Sequence, residues 1–257
     1  MTESSRTHIV LIPSYNPGRK VYDTVREARA QWGPVWIVVD GSTDGTLEGL
    51  RKMAAEDDRL RVIVQEQNEG KGAAVLRGAR LALSEGYTHA LTMDSDGQHP
   101  AWLIPKFMHQ SIERPDALVL GMPIFDESAP RIRVNGRKLS NWWTDVETLN
   151  AGIGDSLYGF RIYPLADLVA VMEESRWMRR FDFDPEVAIR LVWRGLQPVN
   201  IDAPVKYLKA HEGGVSHFNY LRDNVLLSWM HTRLVFGFLT RLPALLRQKR
   251  RLARSSA

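Results

Sequence analysis

The sequence predicts an α/β fold: a mainly parallel central sheet with helices on both faces, followed by a C-terminal helical extension. Three observations lead there. Short apolar runs alternate with segments of helical composition through the N-terminal half, the pattern of βα units. A polar, mostly glycine-bearing loop follows each of the first four apolar runs, and sheets of this class bind ligands beyond the carboxyl ends of their strands. After Asp223 the chain is apolar and basic with no acidic residue.

Taken in order, residues 8–12 read as the first strand, 13–18 as a loop and 20–31 as a helix. Residues 35–39, rich in β-branched side chains, form the second strand, and 46–56 a helix. The third strand is 60–64, the Ala-rich segment 71–85 a helix, and 87–93 the fourth strand. The second half is less regular. Residues 117–122 look like a strand, and 124–148 form a long basic, aromatic-containing segment. Residues 152–163 suit a strand or hairpin, 185–195 a helix and 199–207 a strand. The last helical run, 221–246, is expected to be interrupted by Gly237 and Pro243. With no internal repeat or low-complexity linker, the chain divides into one catalytic domain, 1–220, and an extension, 221–257, suited to a membrane surface.

Composition narrows the function. At 257 residues with 44% hydrophobic and 25% charged residues, a sizeable core is possible. Cysteine is absent, which excludes a disulfide framework and thiolate metal sites. No charged-then-apolar leader and no run long enough to span a bilayer are apparent, so a cytoplasmic chain is expected. The net charge of +4 is a local feature: the seven Arg and Lys after Asp223 leave the rest of the chain at −3. Nucleic acid is therefore not an expected partner.

Chemistry concentrates in five motifs. Met93-Asp-Ser-Asp-Gly-Gln-His-Pro100 follows the fourth strand, and Asp94 and Asp96 flank one small residue there. That spacing suits a hard divalent cation beside phosphates, with Gln98 adding a neutral oxygen, although an Asp-x-Asp also occurs in plain surface turns. Asp40 ends the second strand, where a carboxylate needs a partner such as a base or ribose. Asp44 and Gly45 serve a turn and a helix cap. Pro13-Ser-Tyr-Asn16 offers the ring of Tyr15 and the amide of Asn16 to a flat base. Asn68-Glu-Gly-Lys-Gly72 allows close backbone approach and brings Lys71 to a phosphate, or simply starts a helix. In Phe181-Asp-Phe-Asp-Pro-Glu186, Asp184 suits an N-cap with Pro185 at the first helical position. Three carboxylates exceed what capping needs, so Glu186 or Asp184 is a candidate general base.

In this order the motifs resemble the family 2 glycosyltransferases, nearest the polyprenyl- and dolichyl-phosphate sugar transferases. Ile12-Pro-Ser-Tyr-Asn16, Val39-Asp-Gly-Ser-Thr-Asp-Gly-Thr46, Asn68-Glu-Gly-Lys-Gly-Ala73, Met93–Pro100, Tyr158-Gly-Phe-Arg161 and Phe183-Asp-Pro-Glu186 carry the resemblance. It implies a GT-A fold, a UDP- or GDP-sugar donor, a Mg²⁺ or Mn²⁺ ion and inversion at the anomeric carbon. It also implies that Pro13, Tyr15, Asn16, Asp40 and Asp94 contact the nucleoside. Asp96 and Gln98 would hold the metal, with Asp94 reaching it through water, and Arg161 would face a phosphate or the acceptor. Lys206–Phe218 matches the acceptor loop of that branch only loosely.

On the acceptor side, Arg131, Arg133, Arg137 and Lys138 suit a phosphate, while Trp142 and Trp143 suit a bilayer interface. The basic cluster 247–254 would draw the chain to the cytoplasmic face of an anionic membrane as a peripheral protein. The leading expectation is an inverting, metal-dependent transferase acting on a polyprenyl phosphate. A hydroxyl acceptor on another lipid or glycan is the first alternative, and a non-enzymatic nucleotide-sugar binder at the membrane surface the second. A nucleotidyltransferase would carry a glycine-rich basic loop after the first strand, where this chain has Pro-Ser-Tyr-Asn.

Overall fold

Seven consecutive buried residues, His8–Ser14, make a strand covered on both faces, as a parallel sheet requires. The computed structural model describes residues 3–125, 131–205 and 220–255. Its elements are β1 (Glu3–Ser4), β2 (His8–Ser14), α1 (Lys20–Gln31), β3 (Trp32–Gly33), β4 (Val35–Asp40), α2 (Thr46–Glu56), β5 (Leu60–Gln65), α3 (Lys71–Ser84) and β6 (His89–Thr92). There follow a 3₁₀ turn (Ala101–Leu103), α4 (Ile104–Glu113), β7 (Ala117–Ile124), α5 (Arg131–Thr148), β8 (Arg161–Pro164), α6 (Leu165–Glu173), α7 (Phe183–Arg194), β9 (Gln197–Pro204) and α8 (Tyr220–Ser255).

Among the described residues a seven-stranded sheet runs in the order β5-β4-β2-β6-β8-β7-β9. β8 alone runs against its neighbours β6 and β7; the other pairings are parallel. Side chains alternate along β2, sending Ile9 and Leu11 to one core and Val10 and Ile12 to the other. The first core packs under α3, α6 and α7, with Leu168, Val187 and Leu191 among its members. The second holds Val25 of α1, Leu50 of α2 and Phe107 of α4. The expected helices on both faces are therefore present. β1 and β3 form a small separate pair.

Four segments differ from expectation. In residues 152–163, only the stretch from Arg161 onward is strand. The residue pair before it is tied to β6 by a side chain instead: the Gly159 carbonyl accepts from Thr92 Oγ1 at 2.9 Å. α7 begins at Phe183, not after an Asp184 cap, because Asp182 holds the preceding turn by accepting the Met178 and Arg180 N–H groups. Asp184 thereby falls inside the first helical turn. The last strand spans 197–204; Lys206 and Tyr207, expected in it, lie outside the described residues, as does the expected acceptor loop to Phe218.

α8 is continuous through Gly237 and Pro243. At Gly237 a Cβ would sit 3.2 Å from the Trp193 ring, so the glycine serves a close approach and not a break. Beyond Pro243 the helix is tethered by Gln248 Nε2 donating to the Val192 carbonyl and Lys249 Nζ to that of Leu149. α4 and α6 went unread in the sequence. The apolar residues of α6 surround it almost completely, leaving little amphipathic signal.

Candidate active site

The carboxyl ends of β2, β4 and β6 open onto one cavity of about 500 Å³, within the range of ligand sites. Pro13, Tyr15, Asp40, Lys71, Asp94, Asp96, Gln98, Arg137 and Asp184 all line it, so nine of the residues singled out from sequence are brought together. Asn16, Arg161 and Glu186 are not among the lining residues.

Asp40 ends β4 as a buried carboxylate whose partners come from the next loop. Oδ1 accepts from Glu69 N at 2.9 Å and Gln65 Nε2 at 3.2 Å, and Oδ2 accepts from Gly70 N at 2.8 Å. Burial raises its proton affinity, and the Glu69 and Gly70 N–H groups work against that. Gly41 has φ +64° and lies against the Gln67–Asn68 backbone so closely that a Cβ has no room. The loops after β4 and β5 are thus locked together. Asn16 does a similar job, accepting from Thr43 N at 2.7 Å while its own N–H donates to Ser42 Oγ. It shapes the wall beside Tyr15.

Lys71 opens α3 and reaches between two carboxylates, 2.8 Å from Asp94 Oδ1 and 2.7 Å from Asp184 Oδ2. Burial alone would weaken its hold on the proton, but Asp184 and Asp94 overturn that and keep it charged. Burial likewise favours a neutral Asp94, yet Lys71 brings its pKa down to about 2. Gly159 makes room for this cluster: a Cβ there would come within 2.5 Å of Lys71 Nζ. Asp184 Oδ1 is buried without a hydrogen-bond partner.

Asp96 faces the opposite situation. Burial, then the neighbouring Asp94 charge, push it up to about 6, and its Oδ1 accepts from Gln98 N at 3.0 Å. A carboxylate held this way gains from a cation nearby. Among the described residues no group of three or more His, Cys, Asp or Glu forms a closed metal cage. The fit is to a hard ion that takes one or two carboxylates and an amide oxygen and completes its shell with phosphate oxygens, which is how Mg²⁺ and Mn²⁺ sit on diphosphates.

His99 was missed as a site residue. Buried behind the Asp94 turn, its Nδ1 accepts from Asp94 N at 2.9 Å, which puts the proton on Nε2, 3.6 Å from Asp94 Oδ2. Burial lowers its pKa to about 4, and the ring packs on Tyr158 and Phe160. Arg180 and Arg222 also line the cavity and were not singled out. The signal for His99 was its place three residues after the Asp-x-Asp, within Met93–Pro100; Arg180 had its place beside Phe181-Asp-Phe-Asp. No comparable signal marked Arg222.

Two expected site residues are buried away from the cavity lining. Arg161, fully buried, donates to the carbonyls of Asp184 and Asp155. It props the cavity floor, because a β8 side chain pointing into the core cannot reach a ligand. Glu186, also fully buried, lies one helical face away from Asp184 and pairs with Arg190 and Arg233, the latter at 2.9 Å. The Arg131 side chain lies outside the described residues, as does that of Arg133. Arg137 reaches the cavity from α5 and pairs with Asp155 at 2.6 Å.

Comparison with known proteins agrees with this geometry. A family model described as "Glycosyl transferase family 2" matches residues 9–163. The undecaprenyl-phosphate mannosyltransferase of Micrococcus luteus is 26% identical over 219 residues, covering 80% of this chain and 85% of that protein. The polyprenol monophosphomannose synthase of Mycolicibacterium smegmatis is 28% identical over 218 residues, covering 81% and 79%. Among solved structures, glucosyl-3-phosphoglycerate synthase from Mycobacterium tuberculosis, in complex with Mn²⁺, UDP-glucose and phosphoglyceric acid, superposes with a TM-score of 0.61 at 16% identity, covering 92% of this chain and 80% of that one. The shared architecture is that of GT-A enzymes.

Proposed function

The chain belongs to glycosyl transferase family 2, and from that premise we propose that it moves a sugar, with inversion, from a nucleoside diphosphate to a polyprenyl phosphate. The observation that carries the reading is the gathering of Asp40, Asp94, Asp96 and Gln98 in one cavity at the strands' carboxyl ends, with Arg137 in the same lining. Relatives named for undecaprenyl-phosphate and polyprenol substrates support this choice of acceptor.

In the proposed reaction, Tyr15 and the Asp40 wall receive the nucleoside. Asp96, Gln98 and Asp94 would hold Mg²⁺ or Mn²⁺. When bound, the ion supplies charge neutralisation for the leaving nucleoside diphosphate. An oxygen of the acceptor phosphate attacks the anomeric carbon from the face opposite the leaving group. The bond to the diphosphate breaks, and its electron pair departs with the nucleoside diphosphate. A phosphate monoester is already ionised near neutral pH, so no protein base is required. Arg137 pairs with the acceptor phosphate as a charge-assisted donor. A hydroxyl acceptor would need a base, and of the two carboxylates proposed from sequence only Asp184 lines the cavity.

The acceptor reading implies a membrane surface. No helix among the described residues is long and apolar enough to cross a membrane. α8 and α5 instead expose Val225, Trp229, Phe236, Leu239, Leu139 and Trp142, and α8 runs on into the basic 247–254 segment, a combination suited to the anionic cytoplasmic face of a bilayer.

Incubation with UDP-glucose or GDP-mannose, Mn²⁺ and polyprenyl phosphate, with products identified by mass, tests the activity. A glycosylated polyprenyl phosphate is expected with one donor. Product from a total lipid extract but none from polyprenyl phosphate would shift the reading to a hydroxyl acceptor. Donor binding without transfer to either would leave a binding protein. Pelleting with anionic vesicles, lost on deleting residues 247–257, tests the membrane contact; unchanged pelleting would remove the tail as an anchor.

A further inference from the structure

A continuous file of side chains joins the interior face of α8 to Arg137 at the cavity. His231 of α8 faces Glu147 through Nδ1, 3.1 Å from each carboxylate oxygen. Its Nε2 lies 3.3 Å from Ser140 Oγ, which in turn lies 3.2 Å from Ser156 Oγ. Ser156 donates from both N and Oγ to Asn141 Oδ1, at 2.9 and 2.8 Å. The amide of Asn141 then donates to Asp155 Oδ2 at 3.3 Å, and Asp155 Oδ1 accepts from Arg137 Nη1 at 2.6 Å. Asp155 is fixed again from behind, because Leu157 N donates to its Oδ1 and Arg161 Nη2 to its carbonyl.

We infer that His231, Ser140, Ser156 and Asn141 are positioning residues that aim Arg137 at the acceptor phosphate, so that the seating of α8 sets acceptor affinity. Three features argue for this over simple packing. Ser140, Ser156 and Asp155 are buried and Asn141 is partly so, where α5 meets the segment before β8 and His231 of α8, a contact that apolar side chains would fill at lower desolvation cost. A buried polar file survives only when its members are satisfied, and each of these is. Among the described side chains of α5, the file also ends on the guanidinium that lines the cavity, and it begins on the helix whose outer face carries Val225, Trp229 and Phe236. The guanidinium is held edge-on by one Asp155 oxygen and over its face by the Phe125 ring, which fixes its direction, and it carries more N–H donors than that one oxygen takes.

The inference rests on the reading that Arg137 meets the acceptor, and a double-mutant cycle separates the two. Asn141→Leu should raise the KM for polyprenyl phosphate about tenfold while kcat and donor Kd stay within about twofold. Arg137→Ala should raise the same KM, and Asn141→Leu should add nothing on top of it. If Arg137→Ala leaves that KM unchanged, the acceptor reading of Arg137 falls, and the relay with it. If Arg137→Ala raises KM and Asn141→Leu does not, or if the two effects add fully, only the relay falls. Thermal unfolding of each variant shows whether it is folded. Should Asn141→Leu fail that check, Ser140→Ala, which cuts the file between Ser156 and His231, is carried through the same cycle and decides by the same outcomes.

Discussion

The ammonium of Lys71 lies 2.7 Å from Asp184 Oδ2, which ties the start of α3 to the first turn of α7 across the floor of the cavity. The same ammonium holds Asp94 at 2.8 Å. Lys71 is thus spent on two carboxylates before any donor arrives, and its first task is electrostatic: it lets Asp94 and Asp184 share a buried site. Removing it should leave two uncompensated charges. Lys71→Met is expected to cost about 3–5 kcal/mol of stability, read by urea unfolding. Adding Asp184→Asn should restore part of that loss, because one of the stranded charges goes with it. A Lys71→Met protein as stable as the parent would show that the ammonium is not what neutralises the pair.

Asp96 is placed to matter for turnover and little for the fold. Its carboxylate accepts one backbone N–H within its own turn and has no cationic partner in the ion-pair network around Lys71. Asp96→Ala should therefore abolish Mn²⁺-supported transfer with either a phosphate or a hydroxyl acceptor, while changing the unfolding temperature little. Manganese binding in the presence of the nucleoside diphosphate, followed by electron paramagnetic resonance, should fall with it. Retained Mn²⁺ binding in Asp96→Ala would move the metal to other residues.

Local signals explain what could be read in the chain. The helices 20–31 and 46–56 were legible to the residue because apolar spacing and boundary residues agree there. Asp40 was legible because a carboxylate ending an apolar strand needs a partner, and Asp94 and Asp96 because their loop falls at the same sheet edge as three other polar loops. Long-range packing hid the rest. Glu186 lies two residues from Asp184 in a motif that looks uniformly catalytic, but helical geometry turns it toward Arg190 and Arg233. The antiparallel run of β8 sets Arg161 beside Thr92 at the same sheet edge, but its side chain is fully buried and donates to the Asp184 and Asp155 carbonyls. Nothing in the sequence near 220 announces that Arg222 reaches the cavity, since that depends on where α8 docks.

Part of the acid sensitivity should come from the far end of the sheet, beside that of the buried His99. His8 and His89 stack there with ring centroids 4.4 Å apart and planes 7° from parallel, both buried. Ser111 Oγ lies against His8, and the Pro115 carbonyl against His89; the Asp116 charge favours protonation of His89. Burial, then the neighbouring His89, lowers His8 to about 4, whereas the unfolded imidazole titrates near 6.5. The unfolded chain therefore binds protons first. The contribution is complete above about pH 6.5 and is lost as pH falls toward 4. Unfolding temperature should drop between pH 7 and 5, and His8→Phe should flatten that drop; an unchanged slope would assign the acid loss to other groups.

Glu186 offers the sharpest contrast with the cavity carboxylates. Its two oxygens serve Arg233 at 3.1 and 2.9 Å, and Oε1 also serves Arg190 at 2.8 Å. Arg233 in turn stacks 4.2 Å over the Trp177 ring and belongs to α8, so this one carboxylate clamps α8 onto α7. Removing it strands two largely buried guanidiniums against each other. Glu186→Ala is expected to cost about 3–5 kcal/mol, seen in urea unfolding. Glu186→Gln, which keeps an acceptor oxygen but loses the charge, should cost less. Because Glu186 does not border the cavity, folded Glu186→Gln should keep kcat near the parent value with either kind of acceptor, whereas a base would show its loss with a hydroxyl acceptor and not with a phosphate. A turnover defect confined to the hydroxyl acceptor, at undiminished stability, would return Glu186 to the chemistry.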